Sequence, residues 1–458
     1  MLNESLNMNL SEKINHLITT LPELKWDISE IRKKQTSSDF HWFSPILKQQ
    51  LAHVQVDAVV CPKNIEELKT LIRHAVHDQI PLTVRGGGTG NYGQSLPLHG
   101  GIVIDFTAFN QILSFDQSNA VVHTQAGIRL KVLEDYCIEQ GYELRCKPST
   151  FKIATLGGFF AGGFGGIGSI NYGPLNAIGN ILSLRLLTIE EQPKIIELNA
   201  LQAAEYAHSY GTTGIVLDFH LSLAPHLNWH ECVLTFPKFA QAFQCAEMIA
   251  NDPALGKKEI AVFSSGIERY YDHLKAYIQP GDATILSIIE HKYLNTLQCI
   301  VEKFQGKICF QQTSQQAEQS KFSILDYCWN HATLAVLKHD KNFTYLQTAY
   351  SIGSELSQLE RITEKCGSDQ IIQHVEMIRN AHGQVACSGL PILAYQNPQQ
   401  LQQIMKYHEE AGVRINDPHT IYVADGHHSK QLNPNIIIYK QQNDPHHLLN
   451  IGKLSSSI

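Results

Sequence analysis

The sequence predicts an α+β protein in two parts, and three observations carry that expectation. Its 458 residues exceed what a single hydrophobic core usually serves. Hydrophobic residues make up 43% and charged residues 17%, so the bulk of the chain is expected to fold rather than stay disordered. The first half reads as one strand–helix–strand unit followed by successive strands, which is not the regular βαβ repetition of a doubly wound sheet. A formal net charge of -7 gives no global basic field, so a nucleic-acid partner is not expected.

Taken in order, residues 1–40 alternate in charge and hold one helical stretch around 10–21, which suits a docking segment or loose arm. The first ten residues have neither a charged leader nor a continuous apolar run, so export by a signal peptide is not expected. Residues 56–61 form an apolar run rich in β-branched side chains, a strand. Asn64 with Glu67 three residues on marks a helix start, and Ile65, Leu68, Leu71, Ile72, Ala75 and Val76 recur at helical spacing as far as Gln79. Residues 81–85, 101–106, 112–115 and 120–124 read as strands, and a helix over 130–140 ends at Gly141. Further strands are expected at 181–189, 194–198 and 215–223, with a boundary at 224–228. Beyond it, strands at 232–236, 260–263 and 284–289 with a helix at 238–250 predict a separate antiparallel sheet backed by helices. The Gln-rich stretch 311–319 reads as a loop or helix start.

The most apolar passage, 155–170, is broken by Gly157, Gly158, Gly162, Gly163, Gly165, Gly166 and Gly168, and reads as a packed turn system rather than a membrane span. The ten cysteines contain no Cys-x-x-Cys pair, so no metal centre is expected, and they fit reduced thiols in a cytoplasm.

Gly88-Thr-Gly-Asn-Tyr-Gly93 matches G-x-G-x-x-G, the dinucleotide fingerprint. That fingerprint must open directly into a helix, whereas here a proline and two glycines intervene before another strand at 101–106. The motif is therefore a strand-to-strand loop. Arg85-Gly-Gly-Gly-Thr-Gly90 still offers consecutive backbone N–H groups of the kind a pyrophosphate needs, the alternative being a plain glycine turn. A second permissive stretch runs through Lys147-Pro-Ser-Thr150, Thr155-Leu-Gly-Gly158, Gly162 and Gly163, and a third through Tyr210-Gly-Thr-Thr-Gly-Ile-Val216.

This ordered set of three loops resembles the FAD-binding domain of the vanillyl-alcohol oxidase and p-cresol methylhydroxylase family, and within it the glycolate oxidase and D-lactate dehydrogenase branch, over residues 41–226. The resemblance implies an FAD-binding domain of two subdomains followed by a C-terminal substrate (cap) domain over 227–440, with antiparallel sheet and helices. It also implies that Arg85, Gly86, Gly87, Gly88, Thr89, Gly90 and Asn91 wrap the pyrophosphate. Pro148, Ser149, Thr150, Thr155, Leu156, Gly157 and Gly158 would line the flavin and ribityl chain, and Gly162 and Gly163 would allow close approach. Tyr172, Gly173 and residues 176–178 continue the pattern, and Gly214, Ile215 and Val216 would sit near the adenine. Where family members that attach FAD covalently carry a histidine in the first loop, this sequence has Thr89, which implies dissociable FAD. The ending Asp444-Pro-His-His-Leu-Leu-Asn-Ile-Gly-Lys453 resembles the family's tail, with Ile451 in place of a proline, and implies that residues 441–458 pack back on the FAD domain.

The activity so implied is that of an FAD-dependent oxidoreductase, dehydrogenase or oxidase, taking a hydride from a small hydroxylated substrate to flavin N5, with a 2-hydroxy acid as one candidate. Oxygen, a quinone or a partner protein would be the electron acceptor. Two other readings stay open: a flavin-binding subunit without turnover of its own, and non-oxidative flavin chemistry of the alkyl-dihydroxyacetone-phosphate synthase kind. Oxidation at a carbon bearing a hydroxyl also needs a proton acceptor. Two clusters in the second half offer one: Asp326-Tyr-Cys-Trp-Asn-His-Ala-Thr333, and Asn416 to His428. His331 is the candidate base, supported by Asn330 and Tyr422, with His419 the next choice. His427 and His428 read equally well as a solvated loop, and any one of these histidines as a hydrogen-bonded core residue. The branch's His-x-Gly-Asp-Gly-Asn-x-His stretch is missing, Asp425-Gly-His-His428 being a partial echo. Arg145, Arg379 and Arg414 are candidates to hold an anionic substrate.

Overall fold

A computed structural model describes residues 8–427 and 431–455, so His428 lies outside the described residues. The first half holds two sheets. One has three parallel strands, Ala58–Val60, Ile102–Asp105 and Leu82–Arg85, with Trp26–Asp27 antiparallel at its edge. Ala58–Val60 and Ile102–Asp105 are buried throughout, as expected of parallel strands covered on both faces. The crossover helix Ile65–His77 supplies one cover, burying Leu68, Leu71, Ile72, Ala75 and Val76, the stripe its spacing predicts. Asn64 caps it by accepting from Glu67 N, and the Glu67 carboxylate accepts in turn from Lys63 N rather than from Asn64 N. The other sheet is antiparallel, running Ile112–Asp116, Val121–Gln125, Ile215–Pro225, Ile181–Leu187 and Ile195–Asn199, with Tyr142–Leu144 paired to the long strand.

The second half is built on an eight-stranded antiparallel sheet. Its order is Lys307–Thr313, Trp229–Phe236, Ala283–Glu290, Lys257–Phe263, His374–Arg379, Val385–Gly389, Gln347–Ala349 and Arg414–Asn416. A three-stranded sheet stands beside it, and the helices Phe239–Asn251, Leu294–Lys303, Glu355–Cys366 and Pro398–Glu410 bury apolar stripes. The Gln-rich stretch divides between the end of the strand Lys307–Thr313 and the helix Ser314–Ser320, which Thr313 caps. The glycine-broken passage is not turns alone: it forms the short helices Leu156–Gly162 and Ser169–Tyr172, because Thr155 caps the first and the phenylalanines and Ile170 give each a buried side. Among the described residues no helix is long and apolar enough to cross a membrane.

The C-terminal tail fastens to the first half. Leu82 N donates to Leu448 O at 2.9 Å and Asn450 N to Leu82 O at 2.8 Å. Asp444 holds this turn: its carboxylate accepts from Leu448 N and Leu449 N at 3.0 and 2.8 Å and pairs with Lys440, whose ammonium also reaches Leu449 O. Asp444 is fully buried and Lys440 nearly so. Removing one partner of such a pair strands the other charge in a dry site. Asp444→Ala is expected to cost about 3–5 kcal/mol in urea denaturation. An unchanged midpoint would mean that the tail contributes nothing to stability.

Candidate functional site

One cavity of about 1550 Å³ runs from the three glycine-bearing loops to the eight-stranded sheet. Pockets for one drug-sized ligand hold roughly 300–1,000 Å³, so this space suits a dinucleotide with room for a second molecule.

The first loop leaves the strand Leu82–Arg85. Arg85 turns away from the cavity: its guanidinium donates to Thr36 O at 3.2 Å, Ser38 O at 2.7 Å and Ser95 Oγ at 3.1 Å, and so pins the N-terminal segment to the loop. The expectation that its side chain wraps a pyrophosphate is corrected by these bonds. Residues 86–91 do line the cavity. Their backbone lies against the second loop so closely that a Cβ on Gly86 would stand 2.0 Å from Thr155 Oγ1, and one on Gly87 2.4 Å from Ile153 O. Gly88 adopts φ +64°, which favours glycine. Thr89 meets Thr150 across the gap, Oγ1 to Oγ1, at 3.4 Å.

In the second loop Pro148, Ser149, Thr150 and Thr155 line the cavity, and Thr155 Oγ1 accepts from Gly158 N at 3.3 Å. Gly157, Gly158, Gly162 and Gly163 face the same space. Leu156 does not; it is 1% exposed and points into the core, as the apolar side of a capped helix must, which corrects its assignment to the cofactor. In the third loop Gly214, Ile215 and Val216 line the cavity, as do Tyr172, Gly173 and residues 176–178. The tail closes this end, Asn450 Nδ2 donating to Gln94 O at 3.3 Å and to Tyr210 O.

The opposite wall belongs to the second half. Ser388, Ala349 and Arg414 are register partners across three strands of the large sheet and all line the cavity. Trp329 and Asn330 stand beside them, and Asn330 Oδ1 is buried without a hydrogen-bond donor among the described residues. Gln347 Nε2 donates to Tyr92 OH, tying this wall to the first loop. Arg145, Arg379 and Arg414 line the space, and none has a carboxylate within 4.0 Å among the described residues. Arg145 and Arg379 bond backbone carbonyls, of Leu223 and Gly179 and of Ile170 and Gly383.

Of the four residues expected to carry chemistry, the structure brings only Asn330 to the wall. His331, next on the same helix, faces away; its Nδ1 lies 3.3 Å from Leu325 O and burial pushes its pKa down. His419 is a core residue whose ring nitrogens engage Ser44 Oγ at 2.8 Å and Tyr345 O at 3.0 Å. Tyr422 packs against the hydrophobic core shared by the two halves and does not line the cavity. These placements correct the choice of His331, His419 and Tyr422 as groups above the cofactor. The described histidines that line the cavity are His208, from the first half, and His427. Burial holds His208 below the usual imidazole range, and its Nδ1 meets Gly163 O at 3.1 Å. His208 lies two residues before Tyr210, so extending the third motif backwards would have found it.

FAD fits this geometry, because glycines are required where the first and second loops touch and bare backbone is left facing the cavity. The family model for an FAD binding domain matches residues 56–197. D-lactate dehydrogenase of Archaeoglobus fulgidus is 29% identical over 204 residues, 42% of this chain and 44% of that protein. Glycolate oxidase subunit GlcD of Bacillus subtilis is 32% identical over 117 residues, 26% of this chain and 25% of that protein. The match thus spans less than half the length of these curated relatives. An alkyldihydroxyacetonephosphate synthase structure superposes over 97% of this chain and 86% of that one, with a TM-score of 0.72 at 17% identity. The chain therefore has the vanillyl-alcohol oxidase type of FAD fold expected from its sequence, and FAD is its cofactor.

Two outcomes follow from the loops. Gly87→Ala must displace the Ile153 carbonyl, and overpacking of about 1–3 kcal/mol is expected to lower FAD affinity roughly tenfold or more in a titration of apoprotein. Wild-type affinity in a folded variant would contradict the cradle. With Thr89 in the first loop, acid precipitation is expected to leave all FAD in the supernatant, and flavin retained in the pellet would contradict dissociable binding.

Proposed function

We propose that this FAD-binding chain is an oxidoreductase of the D-lactate dehydrogenase and glycolate oxidase type, acting on the CH–OH carbon of a small hydroxylated anion, a 2-hydroxy acid foremost. The observation that carries the reading is the wall facing the FAD loops, where an unpartnered acceptor, Asn330 Oδ1, accompanies arginines without carboxylate partners. Bound FAD supplies the two-electron acceptor. Gly86 to Asn91, Pro148 to Thr150 and Thr155 to Gly158 hold it, Leu156 excepted. Asn330 Oδ1 accepts a hydrogen bond from the substrate hydroxyl and so orients the reacting carbon, Arg414 and Arg379 bind the anionic group, and the hydroxyl proton leaves to solvent as the carbon is oxidised. The relatives matched in sequence, named for lactate and glycolate, support this substrate class. The ten cysteines are all unpaired, which supports a reducing compartment such as the cytoplasm.

Anaerobic addition of D-2-hydroxy acids is expected to bleach the flavin's visible absorbance. No bleaching across hydroxy acids, alcohols and sugars would favour a flavin protein without oxidative turnover. Arg414 is exposed and its side chain makes no ion pair or hydrogen bond among the described residues, so its replacement tests binding without disturbing the fold. Arg414→Ala is expected to raise the substrate concentration for half-maximal bleaching roughly tenfold or more, the loss of one hydrogen bond to a charged group. An unchanged concentration dependence would remove Arg414 from the site.

A further inference from the structure

Trp329 joins the cavity wall to a buried acid pair. Its backbone sits at φ 53°, ψ -144°, a region that costs a non-glycine residue about 1–3 kcal/mol and persists only where its surroundings impose it. Two carboxyls do so. Trp329 N donates to Glu376 Oε1 at 2.5 Å, and the indole Nε1 donates to Glu259 Oε2 at 3.3 Å. Glu376 is 0% and Glu259 2% exposed. They stand on adjacent strands: Glu376 is the register partner of Ala261, and Glu259 lies two residues before it on the same face. That face continues into the cavity, since Glu376 pairs with Ser388 and Ser388 with Ala349. Trp329 covers the row where it reaches the acids, and its indole packs on the glycine loop, so a Cβ on Gly165 would stand 2.7 Å from Cη2.

No cation compensates the pair among the described residues. His374 Nε2 lies 2.9 Å from Glu376 Oε1, and burial drives this imidazole down to about 3, so it is neutral and donates one proton. The other titratable groups facing the pair are Tyr271, Cys328 and Cys146, all held protonated by burial; beyond Cys328 stands Glu231, itself bonded to Ser323, Gln312 and Ile324 N. Two carboxyls in one dry site cannot readily both ionise. Burial raises both, Glu259 well above the carboxylate range with repulsion from Glu376 adding to it, and Glu376 to about 7.

We propose that Glu376 and Glu259 are positioning residues, a proton-holding acid pair that latches Trp329 and Asn330 into the cavity wall. The latch itself stands on geometry alone; its effect on substrate rests on the reading of the cavity as the active site. The sign follows from linkage. A carboxyl raised when covered and ordinary when wet ionises more readily with Trp329 displaced, so the covered wall is fully favoured below the ordinary carboxyl range of about 4.5 and has lost that advantage once pH has risen through about 7.

The test uses FAD-loaded protein without substrate, which separates the latch from the functional reading. The Trp329 emission, taken as wild type minus Trp329→Phe, is expected to shift towards that of a solvated indole between about pH 4.5 and about pH 7.5. Glu376→Gln retains an acceptor for Trp329 N but cannot ionise, so the shift is expected to vanish, with emission fixed at the covered value. Glu376→Ala is expected to give the solvated emission at every pH if it folds. A pH-independent wild-type emission, or a transition that persists in Glu376→Gln, would overturn the proposal.

Discussion

The site depends on one contact, the approach of Gly86 and Gly87 to the backbone and side chain of residues 153–155 at distances that leave no room for a Cβ. It joins the end of a parallel strand to the loop that Thr155 turns into a helix. Because neither segment carries bulk there, both can present bare N–H groups to the same space. Pro148 to Thr150 and the Gly162–Gly163 turn extend that surface.

Around this contact the chain spends its buried charge on keeping elements in register. Arg85 ties the first loop to residues 36–38, Lys440 and Asp444 fix the returning tail, and Lys453 donates to Gly93 O. Across the seam between the halves, Lys258 reaches Glu143 at 3.0 Å and Glu134 at 3.6 Å, while Lys147 pairs with Glu134 at 2.5 Å. The charges of Lys147 and Lys258 hold the Glu134 carboxyl down to about 2 despite burial, so the network is ionised at neutral pH. Such pairs are costly to break and specify one arrangement of the two walls. The acid pair behind Trp329 differs: it lacks a cation among the described residues, and burial raises Glu376 to about 7.

How much of this was legible follows from which physics each feature obeys. Periodicity and caps mark the crossover helix and most strands, because Leu68 through Val76 and the run at 102–105 record burial directly in residue type. The three loops are legible because close backbone approach permits only glycine. Roles of side chains were not. Arg85 and Leu156 sit inside the motif yet point away, one recruited by carbonyls of the N-terminal segment and the other by the core. His331 stands beside Trp329 and Asn330 in sequence, but one step along a helix turns a side chain about 100°, so Asn330 faces the cavity and His331 does not. Ser388, Gln347 and the Glu376–Glu259 pair come together only through strand pairing between segments distant in sequence, 39 residues apart for Ala349 and Ser388 and 115 for Ala261 and Glu376, which no local pattern encodes.

The central claim is that the glycine-bearing loops are the FAD site and that the large sheet faces it. Hydrogen–deuterium exchange of apoprotein against FAD-loaded protein tests it most directly, because bound FAD protects the amides it touches. The account predicts protection over residues 86–92, 148–158 and 210–216, with the far edge of the sheet at Lys307–Thr313 unchanged. Protection absent from residues 86–92 while FAD is bound stoichiometrically would contradict it.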